Sequence, residues 1–311
     1  MTTQSHQNKL AIVIPYYKID FFEETIKSVA KQRNKNFSLY IGNDASPNDP
    51  LPIIQKYFEA DDYHYFDYKK NIGGQNLALQ WERILENVQE EWFQILGDDD
   101  MISENFTEEF YQNLPLVEDK KISVIKFSHQ WIDEKNQVIE NFDYNFSELK
   151  PSDFFIKKYT QEIRSSLSEN IFKFDSYQRI GFQKITLAWG SDDLAILLFS
   201  QGNNILYTKN SKVKVRISES SISGSDHLDD QKLKAHFELR EILVTKYSSL
   251  FDYQFIANVV EEYLSSSNYN TYNAHCSVIF FYLKHFKIKA FLKALKKIYY
   301  IKRKWRLKFP S

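Results

Sequence analysis

The chain has 311 residues and a formal net charge of −1, and 43% of its residues are hydrophobic and 16% aromatic. This apolar content is too high for a disordered chain, and the length suits one large domain or two smaller ones. The single cysteine, Cys276, excludes a disulfide within the chain and a thiolate metal cluster. Residues 1–8 lack the pattern of a signal peptide, and no apolar run reaches the roughly 18 to 20 residues that a transmembrane helix needs. A cytoplasmic protein is therefore expected.

Strand and helix patterns alternate over residues 9–100. The first is a continuous apolar run, residues 10–14, which Pro15 closes and which is typical of a buried strand in a parallel sheet. The predicted strands are residues 10–14, 37–41, 63–68 and 92–96, and the predicted helices are residues 21–32, 51–58 and 75–87. This repeated βα unit predicts an α/β fold of Rossmann-like type, with a mostly parallel central sheet flanked by helices.

Polar or turn-forming residues follow each of the four predicted strands. These segments are residues 15–17, 43–46, 71–74 and 98–100. Ligands of open α/β sheets bind outside the carboxyl ends of the strands, so the four segments are expected along one edge of the sheet. The chain has neither a Gly-x-Gly-x-x-Gly dinucleotide motif nor a Gly-x-x-x-x-Gly-Lys-Ser/Thr phosphate loop.

Asp98, Asp99 and Asp100 are three consecutive carboxylates at the end of the fourth predicted strand. They repel one another and favour either a solvated turn or a bound cation. Mg²⁺ and Mn²⁺ bind carboxylate oxygens and complete their coordination with water and substrate phosphates. Taken alone, the triplet is interpreted as a solvated loop, but its alignment with the other three segments favours a site for a metal and a diphosphate.

These segments, in this order, resemble the N-terminal half of family 2 glycosyltransferases, which have the GT-A fold. The resemblance rests on residues 13–17, 41–46, 71–74 and 96–100, the last of which is similar to the family's Asp-x-Asp metal motif. Two positions depart from the family pattern. Asn43 replaces the first Asp of the Asp-Asp-x-Ser turn, and Gly97 replaces the first Asp of the longer metal pattern.

The resemblance implies a nucleotide-diphosphate sugar as donor, with UDP as the expected nucleotide, and Mn²⁺ or Mg²⁺ as cofactor. Asp100 matches the metal-contacting Asp and Asp99 its neighbour toward the ribose or the metal, although the register of the triplet is ambiguous by one residue. Asp44 keeps the position that contacts the base or the ribose. The expected nucleotide-sugar contacts are Pro15, Tyr16, Tyr17, Asp44, Asn71, Gly73, Gly74, Asp98, Asp99 and Arg216.

The second half carries fainter similarities. Residues 171–182 resemble the segment before the acceptor site, and residues 189–194 resemble the family's Gly-x-Glu/Asp-Asp motif, whose last Asp is the catalytic base of inverting members. Asp193 is therefore the expected base and Asp192 the alternative. Both would lie in the first turn of a helix, where the dipole favours anions, and a plain first-turn charge is the other interpretation. Arg216 either faces the diphosphate or lies at an exposed strand edge.

The implied function is an inverting, metal-assisted glycosyltransferase that acts on a saccharide or lipid-linked saccharide acceptor in surface polysaccharide biosynthesis. One alternative is a sugar-1-phosphate nucleotidyltransferase, although the glycine-rich basic loop of that class does not follow the first strand here. Another is a non-catalytic carbohydrate-binding relative. No nucleic-acid partner is expected. The expected domains are a GT-A domain at residues 1–225, with a nucleotide-sugar half (1–102) and an acceptor half (103–225), and a helical C-terminal region at 226–311.

Positive charge is concentrated in the C-terminal region, where eleven Lys and Arg residues and no Asp or Glu follow Glu262. Apolar residues interleave with these cations at roughly helical spacing, namely Phe286, Ala290, Leu292, Leu295, Ile298, Tyr299 and Leu307. The pattern predicts an amphipathic helix that either binds an anionic membrane surface or packs on the acidic remainder of the chain. The first interpretation implies a peripheral position on the inner face of the cell membrane.

Overall fold

The computed structural model describes residues 8–219, 221, 224, 226–265 and 272–308. The chain divides into two compact units, residues 1–228 and 229–311. Across the described ranges, no helix is both long enough and apolar enough to cross a bilayer.

The first unit is a central sheet flanked by helices. Its strands are β1 (Leu10–Tyr16), β2 (Phe37–Asp44), β3 (Tyr63–Tyr68), β4 (Trp92–Ile95), β5 (Met101–Ile102), β6 (Val124–Ile132), β7 (Val138–Phe142), β8 (Glu148–Leu149), β9 (Asn170–Lys173) and β10 (Ile205–Arg216). Its helices are α1 (Phe22–Ala30), α2 (Leu51–Ile54), α3 (Leu77–Leu85), α4 (Phe106–Asp119), α5 (Pro151–Tyr159), α6 (Phe174–Ile180) and α7 (Ser191–Phe199).

The sheet has the strand order β3-β2-β1-β4-β9-β6-β10-β5, with β7 paired to β6 and β8 to β10. The strands β3, β2, β1 and β4 are parallel, as the βα repeat predicts, and β6 and β10 are parallel to each other. β9 is inserted between β4 and β6 and runs antiparallel to both. The predicted α/β fold is confirmed, and antiparallel pairs enter in its second half.

Alternate residues of β1 supply the two faces of the sheet, as the two-residue repeat of a strand requires. Leu10, Ile12 and Ile14 pack with α1, whereas Ala11 and Val13 pack with α3. Both faces are buried, which explains why this strand is an unbroken apolar run rather than an alternating one. The first strand is thereby fixed in the interior of the sheet, with its carboxyl end at the edge where the loops gather.

The predicted elements of residues 9–100 are all present, with shifted ends. β1 and β2 extend to Tyr16 and Asp44, so both residues are the last of their strands rather than loop residues. α2 ends at Ile54, four residues earlier than the predicted helix. These shifts place the backbone of three predicted site residues, Pro15, Tyr16 and Asp44, inside the sheet.

The second unit is helical, which confirms the predicted C-terminal extension. Its helices are α8 (Asp229–Ile242), a π-helical turn (Leu243–Tyr247), α9 (Tyr253–Ser265), α10 (Tyr272–Lys284) and α11 (Ile288–Lys308). Its buried side chains include Phe237, Ile256, Val260, Tyr263, Tyr282 and Ile298. The side chains of Lys302 and of residues 304–308, Leu307 among them, lie outside the described part of the chain, as do residues 309–311.

Candidate active site

Hydrogen bonds join the loops that follow β1, β2 and β4. The Asp98 carboxylate accepts the backbone N–H groups of Tyr17 and Lys18 at 2.7 and 2.8 Å, both on Oδ2. The Tyr17 carbonyl accepts the Ser46 hydroxyl at 2.7 Å. Three of the four segments predicted along one edge of the sheet therefore lie together, and Asp98 connects two of them directly.

The residues at the end of β1 differ in how accessible their side chains are to a ligand. Tyr16 is buried, and its hydroxyl donates to the Asn48 carbonyl at 3.0 Å. Burial raises the pKa of Tyr16, which keeps the hydroxyl protonated and able to donate. Tyr17 is 43% exposed, and Pro15 is half-buried within the strand. Tyr17 is the better placed of the two tyrosines to contact a nucleotide.

Asp44 anchors the fourth segment, residues 71–74. Its Oδ1 accepts the Ile72 N–H at 2.9 Å and Arg83 Nη2 at 2.6 Å, and its Oδ2 accepts the Gly73 N–H at 2.7 Å. The carboxylate is buried, and both of its oxygens are occupied by these partners. The predicted contact of Asp44 with the base or ribose stays a prediction, and the observed bonds give Asp44 a supporting role.

The glycines of this loop are required by close packing. A Cβ atom on Gly73 would lie 2.6 Å from Asp44 Oδ2, and one on Gly74 would lie 2.8 Å from Asn71 Oδ1. The Gly74 N–H donates to that same Asn71 oxygen at 2.7 Å. Asn71 and Gly74 therefore close the turn on themselves, which leaves their predicted sugar contacts untested.

Asp100 is the buried member of the acidic triplet. Its Oδ1 accepts the Arg216 backbone N–H at 2.8 Å, and its Oδ2 accepts the Ser168 hydroxyl. The oxygen of that hydroxyl also accepts the Gly97 N–H at 3.0 Å. Burial and the charge of Asp99 raise the pKa of Asp100 well above its usual range. Both oxygens of the residue expected to bind metal are thus engaged within the protein.

Asp99 differs from its two neighbours. Its backbone carbonyl accepts Arg216 Nε at 3.1 Å, whereas among the described residues the only hydrogen bond to its carboxylate comes from its own backbone N–H. Burial raises its pKa, and the charges of Lys18 and Arg216 oppose that rise. The pKa of Asp98 is raised to about 6 by burial and by the Asp99 charge. The triplet therefore lacks the positive charge that would fully offset its three carboxylates.

The structure excludes one of the two interpretations of Arg216, an exposed strand edge, and the predicted contact of Arg216 with a diphosphate stays a prediction. Its guanidinium is fully buried, so it is not an exposed edge residue. Nη2 donates to Glu24 at 2.7 Å and Asn136 at 2.9 Å, and Nη1 donates to the Asp133 carbonyl at 2.8 Å. Since every guanidinium nitrogen has a protein acceptor, Arg216 is poorly suited to bind a diphosphate. It instead holds the end of β10 against the triplet.

A buried polar segment, residues 165–170, has no signal in the sequence pattern. It contributes the Ser168 hydroxyl to Asp100, and its neighbour Glu169 pairs with Lys126 Nζ at 2.6 Å, with both side chains fully buried. Although burial opposes ionisation, the neighbouring His129 and Lys126 lower the pKa of Glu169 to about 2. Burial lowers the pKa of His129 to about 4. Removing either partner of the buried Lys126–Glu169 pair would leave an uncompensated charge, so the pair constrains this segment.

Asp192 and Asp193 lie in the first turn of α7, as predicted. The backbone before this helix is unusual, because Leu187, Ala188 and Gly190 have φ values of 59°, 54° and 90°. Only glycine adopts this left-handed region readily, so the two non-glycine residues carry backbone strain. Strain of this kind clusters at functional sites, and here it sets the direction from which α7 starts.

Lys158 on α5 faces the two aspartates. Its Nζ lies 3.2 Å from Asp193 Oδ2, whereas Asp193 Oδ1 is buried and has no hydrogen-bond partner. Burial opposes the charge of Lys158, but Asp193 and Asp192 raise its pKa. The pKa of Asp192 is itself raised to about 7, by burial and by the Asp193 charge. Lys158 and the Lys126–Glu169 pair were not predicted, because they lie far from Asp193 in the sequence and match no motif.

Glu169 acts through its charge on both the acidic triplet and the aspartates of α7. The charge of Glu169 contributes to the raised pKa of both Asp100 and Asp192, and the charge of Asp193 acts on Lys126. Residues 165–170 thus contact the triplet through Ser168, and they act on Asp192 through the charge of Glu169. Among the described side chains, no cluster of three or more His, Cys, Asp or Glu residues is arranged to hold a metal ion.

The fold is that of a GT-A glycosyltransferase. The structure of residues 1–349 of S. aureus TarS in complex with UDP-GlcNAc matches with a TM-score of 0.61 at 13% identity, over 96% of this chain and 92% of that chain. A longer S. aureus TarS structure matches with a TM-score of 0.59 at 12% identity, over 87% of this chain and 47% of that chain. At such identities the likeness shows the fold alone.

Sequence comparison defines the family. Residues 11–185, more than half of the chain, match the model of glycosyl transferase family 2. The chain belongs to this family. An uncharacterized glycosyltransferase of Rickettsia felis is 28% identical over 145 residues, 45% of this chain and 22% of that protein. One of Rickettsia conorii is 32% identical over 127 residues, 40% of this chain and 20% of that protein. The chain spans about a fifth of the length of these curated relatives.

The raised pKa of Asp192 predicts a pH-dependent stability. The folded state holds a proton on Asp192 up to a pH of about 7, whereas the unfolded chain releases it near its ordinary value of 3.8. The stabilisation from this protonation is complete below that ordinary value and is lost as the pH rises through about 7. We expect Asp192→Asn to raise the thermal midpoint relative to wild type at pH 8 and to change it much less at pH 5.

Differential scanning calorimetry at the two pH values measures this effect. Asp153→Asn is the matched control, because Asp153 is an exposed aspartate in the first turn of α5. An equal difference between Asp192→Asn and wild type at pH 5 and pH 8 would contradict the prediction.

Proposed function

We propose that this protein is an inverting glycosyltransferase that transfers a sugar from a nucleotide-diphosphate donor, with UDP as the nucleotide. The acceptor is a saccharide or lipid-linked saccharide of surface polysaccharide biosynthesis. The observation that carries the proposal is the pair of acidic sites, a carboxylate triplet at the strand ends that Ser168 holds through Asp100 and a lysine-paired aspartate, Asp193, in the first turn of α7. The S. aureus TarS structures determined with UDP-GlcNAc and with UDP support a nucleotide sugar as donor.

The donor site is proposed at the edge formed by the loops after β1, β2 and β4. Tyr17 is exposed there, and its backbone is fixed by Asp98 and Ser46. The charge of Lys18 acts on both Asp98 and Asp99, so it lies close enough to the triplet to offset part of its charge. These groups would bind and orient a nucleotide, and Lys18 takes over the role that the sequence had suggested for Arg216.

The donor set of the triplet fits a hard divalent cation such as Mn²⁺ or Mg²⁺. Such ions are often bound by only one or two protein carboxylates, with substrate phosphates and water completing the coordination, so a three-ligand cluster is not required. We assign Asp99 as the primary ligand and Asp98 as the second, because both oxygens of Asp100 are engaged by Ser168 and Arg216. When bound, the metal would neutralise negative charge on the departing diphosphate.

Asp193 is proposed as the general base. Lys158 donates to Oδ2, and the buried Oδ1 has no hydrogen-bond partner among the described residues. An acceptor hydroxyl that donated to Oδ1 would satisfy this orphaned acceptor in the ground state. As the acceptor oxygen bonds to the anomeric carbon, its proton moves to Oδ1 and the bond from that carbon to the diphosphate breaks. A single displacement of this kind inverts the anomeric configuration.

Asp192 is the alternative base. Its pKa of about 7 would let it exchange a proton near neutral pH, which is where a general base is most effective. Asp193 is preferred because Lys158 orients its carboxylate through Oδ2 and its Oδ1 has no hydrogen-bond partner among the described residues. Family membership favours glycosyl transfer over the nucleotidyltransferase considered from the sequence.

Replacing Asp193 tests the assignment of the base. We expect Asp193→Asn to reduce transfer by about 10²- to 10⁴-fold, because the amide cannot accept the proton. Affinity for UDP should stay within about twofold of wild type, since Asp193 is proposed to contact the acceptor and not the nucleotide. Asp192→Asn is the matched control, one residue away in the same helical turn.

Release of UDP from a panel of UDP-sugars, with and without saccharide acceptors, provides the measurement. Loss of turnover in Asp192→Asn, with turnover retained in Asp193→Asn, would exchange the two roles. Formation of pyrophosphate from sugar phosphates and nucleoside triphosphates would instead favour the nucleotidyltransferase, and no turnover of any donor would favour a non-catalytic relative.

The metal assignment predicts different behaviour for two neighbouring aspartates. Asp99→Asn should remove the increase in UDP affinity caused by Mn²⁺ without lowering the thermal midpoint, because its carboxylate is bonded only by its own backbone N–H, which the amide oxygen can still accept. Asp100→Asn should lower the thermal midpoint, because it disturbs the bonds to Ser168 and Arg216. Isothermal titration calorimetry with UDP, in Mn²⁺ and in EDTA, measures the first effect. A metal response lost only in Asp100→Asn, at unchanged stability, would restore Asp100 as the ligand.

A further inference from the structure

The connection between α10 and α11 presents an aromatic side chain to solvent. Phe286 is 89% exposed. Its backbone has a φ of 54°, in the left-handed region. The chain turns there because the Phe286 N–H donates to the Leu283 carbonyl and the Lys287 N–H donates to the Tyr282 carbonyl, both at 3.0 Å. This is the helix-ending turn in which glycine is the usual residue.

A phenylalanine at such a position is costly in two ways. Its Cβ is disfavoured at positive φ, and its ring gains no burial from the fold. Glycine would relieve both costs without changing the hydrogen bonds of the turn. The strained backbone and the exposed ring together suggest that Phe286 makes a contact outside the folded chain.

Other exposed apolar side chains surround this turn. They are Phe280, Leu283, Ile288 and Leu292, each more than half exposed. Ile288, Leu292 and the exposed Tyr299 fall on one stripe of α11, at intervals of four and seven residues. A separate stripe of α11, which includes Ala294, Ile298 and Ile301, is buried. The helix thus has one apolar face that packs in its own unit and a second that is left in solvent.

The apolar residues predicted to interleave with the cations differ in their exposure. Phe286, Leu292 and Tyr299 are exposed, whereas Ala290 and Leu295 are half-buried. Ile298 belongs to the buried stripe, so it cannot contribute to an external surface. The predicted amphipathic helix is therefore present, with its free apolar surface shifted toward the N-terminal end of α11 and the end of α10.

The lysines of this region differ in their partners. Lys293 lies 3.1 Å and Lys297 3.9 Å from Glu261, so both are paired on α9. Lys284, Lys289 and Lys296 have no acidic partner among the described residues. Exposed apolar side chains beside unpaired cations complement an anionic bilayer, which offers acyl chains below a negative surface. A second copy of this chain would supply no acidic residue from this region to match them.

We propose that the exposed apolar surface around Phe286, which comprises Phe280, Leu283, Phe286, Ile288 and Leu292, inserts into the interface of an anionic membrane. The unpaired Lys284, Lys289 and Lys296 contact the lipid phosphates beside it. The inference gives the proposed lipid-linked acceptor a place to meet the enzyme, so it rests on the proposed function for its biological meaning. Its physical content is independent of catalysis and is tested without donor or acceptor.

Vesicle flotation with the full chain tests the apolar part. We expect binding to vesicles of phosphatidylglycerol and phosphatidylcholine, and much weaker binding to phosphatidylcholine alone. Phe286→Gly should weaken binding to the anionic vesicles by about tenfold, since the aromatic ring that would insert into the membrane is lost. The thermal midpoint should stay equal or rise. Leu292→Ala should also weaken binding. Leu233→Ala is its matched control, because Leu233 is 63% exposed and Leu292 58%, yet Leu233 lies on α8.

A charge comparison tests the second part. Lys284→Gln with Lys289→Gln should weaken binding to the anionic vesicles, whereas Lys293→Gln with Lys297→Gln, an equal loss of charge, should weaken it less. Wild-type binding by Phe286→Gly would overturn the proposal. So would a change from dimer to monomer on that substitution in light scattering, which would assign the surface to a second copy. Asp193→Asn should bind vesicles as wild type does, so failed catalysis and failed membrane binding are distinguishable.

Discussion

The buried carboxylate of Asp100 is the constraint on which the rest of the site depends. It lies just beyond β4 and accepts one hydrogen bond from Ser168, before β9, and one from the backbone of Arg216, at the end of β10. These partners are 68 and 116 residues away in the sequence. β4 and β9 are paired within the sheet, and Asp100 adds contacts from the loop after β4 to Ser168 and to the end of β10.

The site concentrates negative charge, and the fold offsets it with cations that are themselves immobilised. Arg216 is buried against the triplet, Lys126 is buried against Glu169, and Lys158 is paired with Asp193. The pKa values of Asp98 and Asp192 nevertheless stay raised, to about 6 and about 7. In both cases burial is the larger cause of the rise and the charge of the neighbouring Asp the second, so a cation bound beside either pair would relieve the repulsion between its carboxylates.

The sequence predicted the parts of this arrangement that are local. The βα alternation, the four turn segments and the two acidic motifs are each contained in a few consecutive residues, and apolar periodicity is enough to place them. Ser168, Lys158 and Lys126 could not be found in this way, because their roles arise from contacts between distant segments. Arg216 shows the same limit, since a basic residue on a strand gives no sign of whether it will be buried. The strained backbone at Leu187 and Ala188 likewise depends on tertiary packing.

Asp98 and Asp99 should keep their positions only while Asp100 is held by Ser168 and Arg216, which lie outside the triplet. Calorimetric titration of UDP into Ser168→Ala, with and without Mn²⁺, tests this most directly, since Ser168 is not assigned to contact either ligand. The variant loses the hydroxyl that holds Asp100 and receives the Gly97 N–H. We expect a Mn²⁺-dependent UDP affinity at least about fivefold weaker than that of wild type, because the triplet would be displaced. An unchanged affinity and an unchanged response to Mn²⁺ would contradict it.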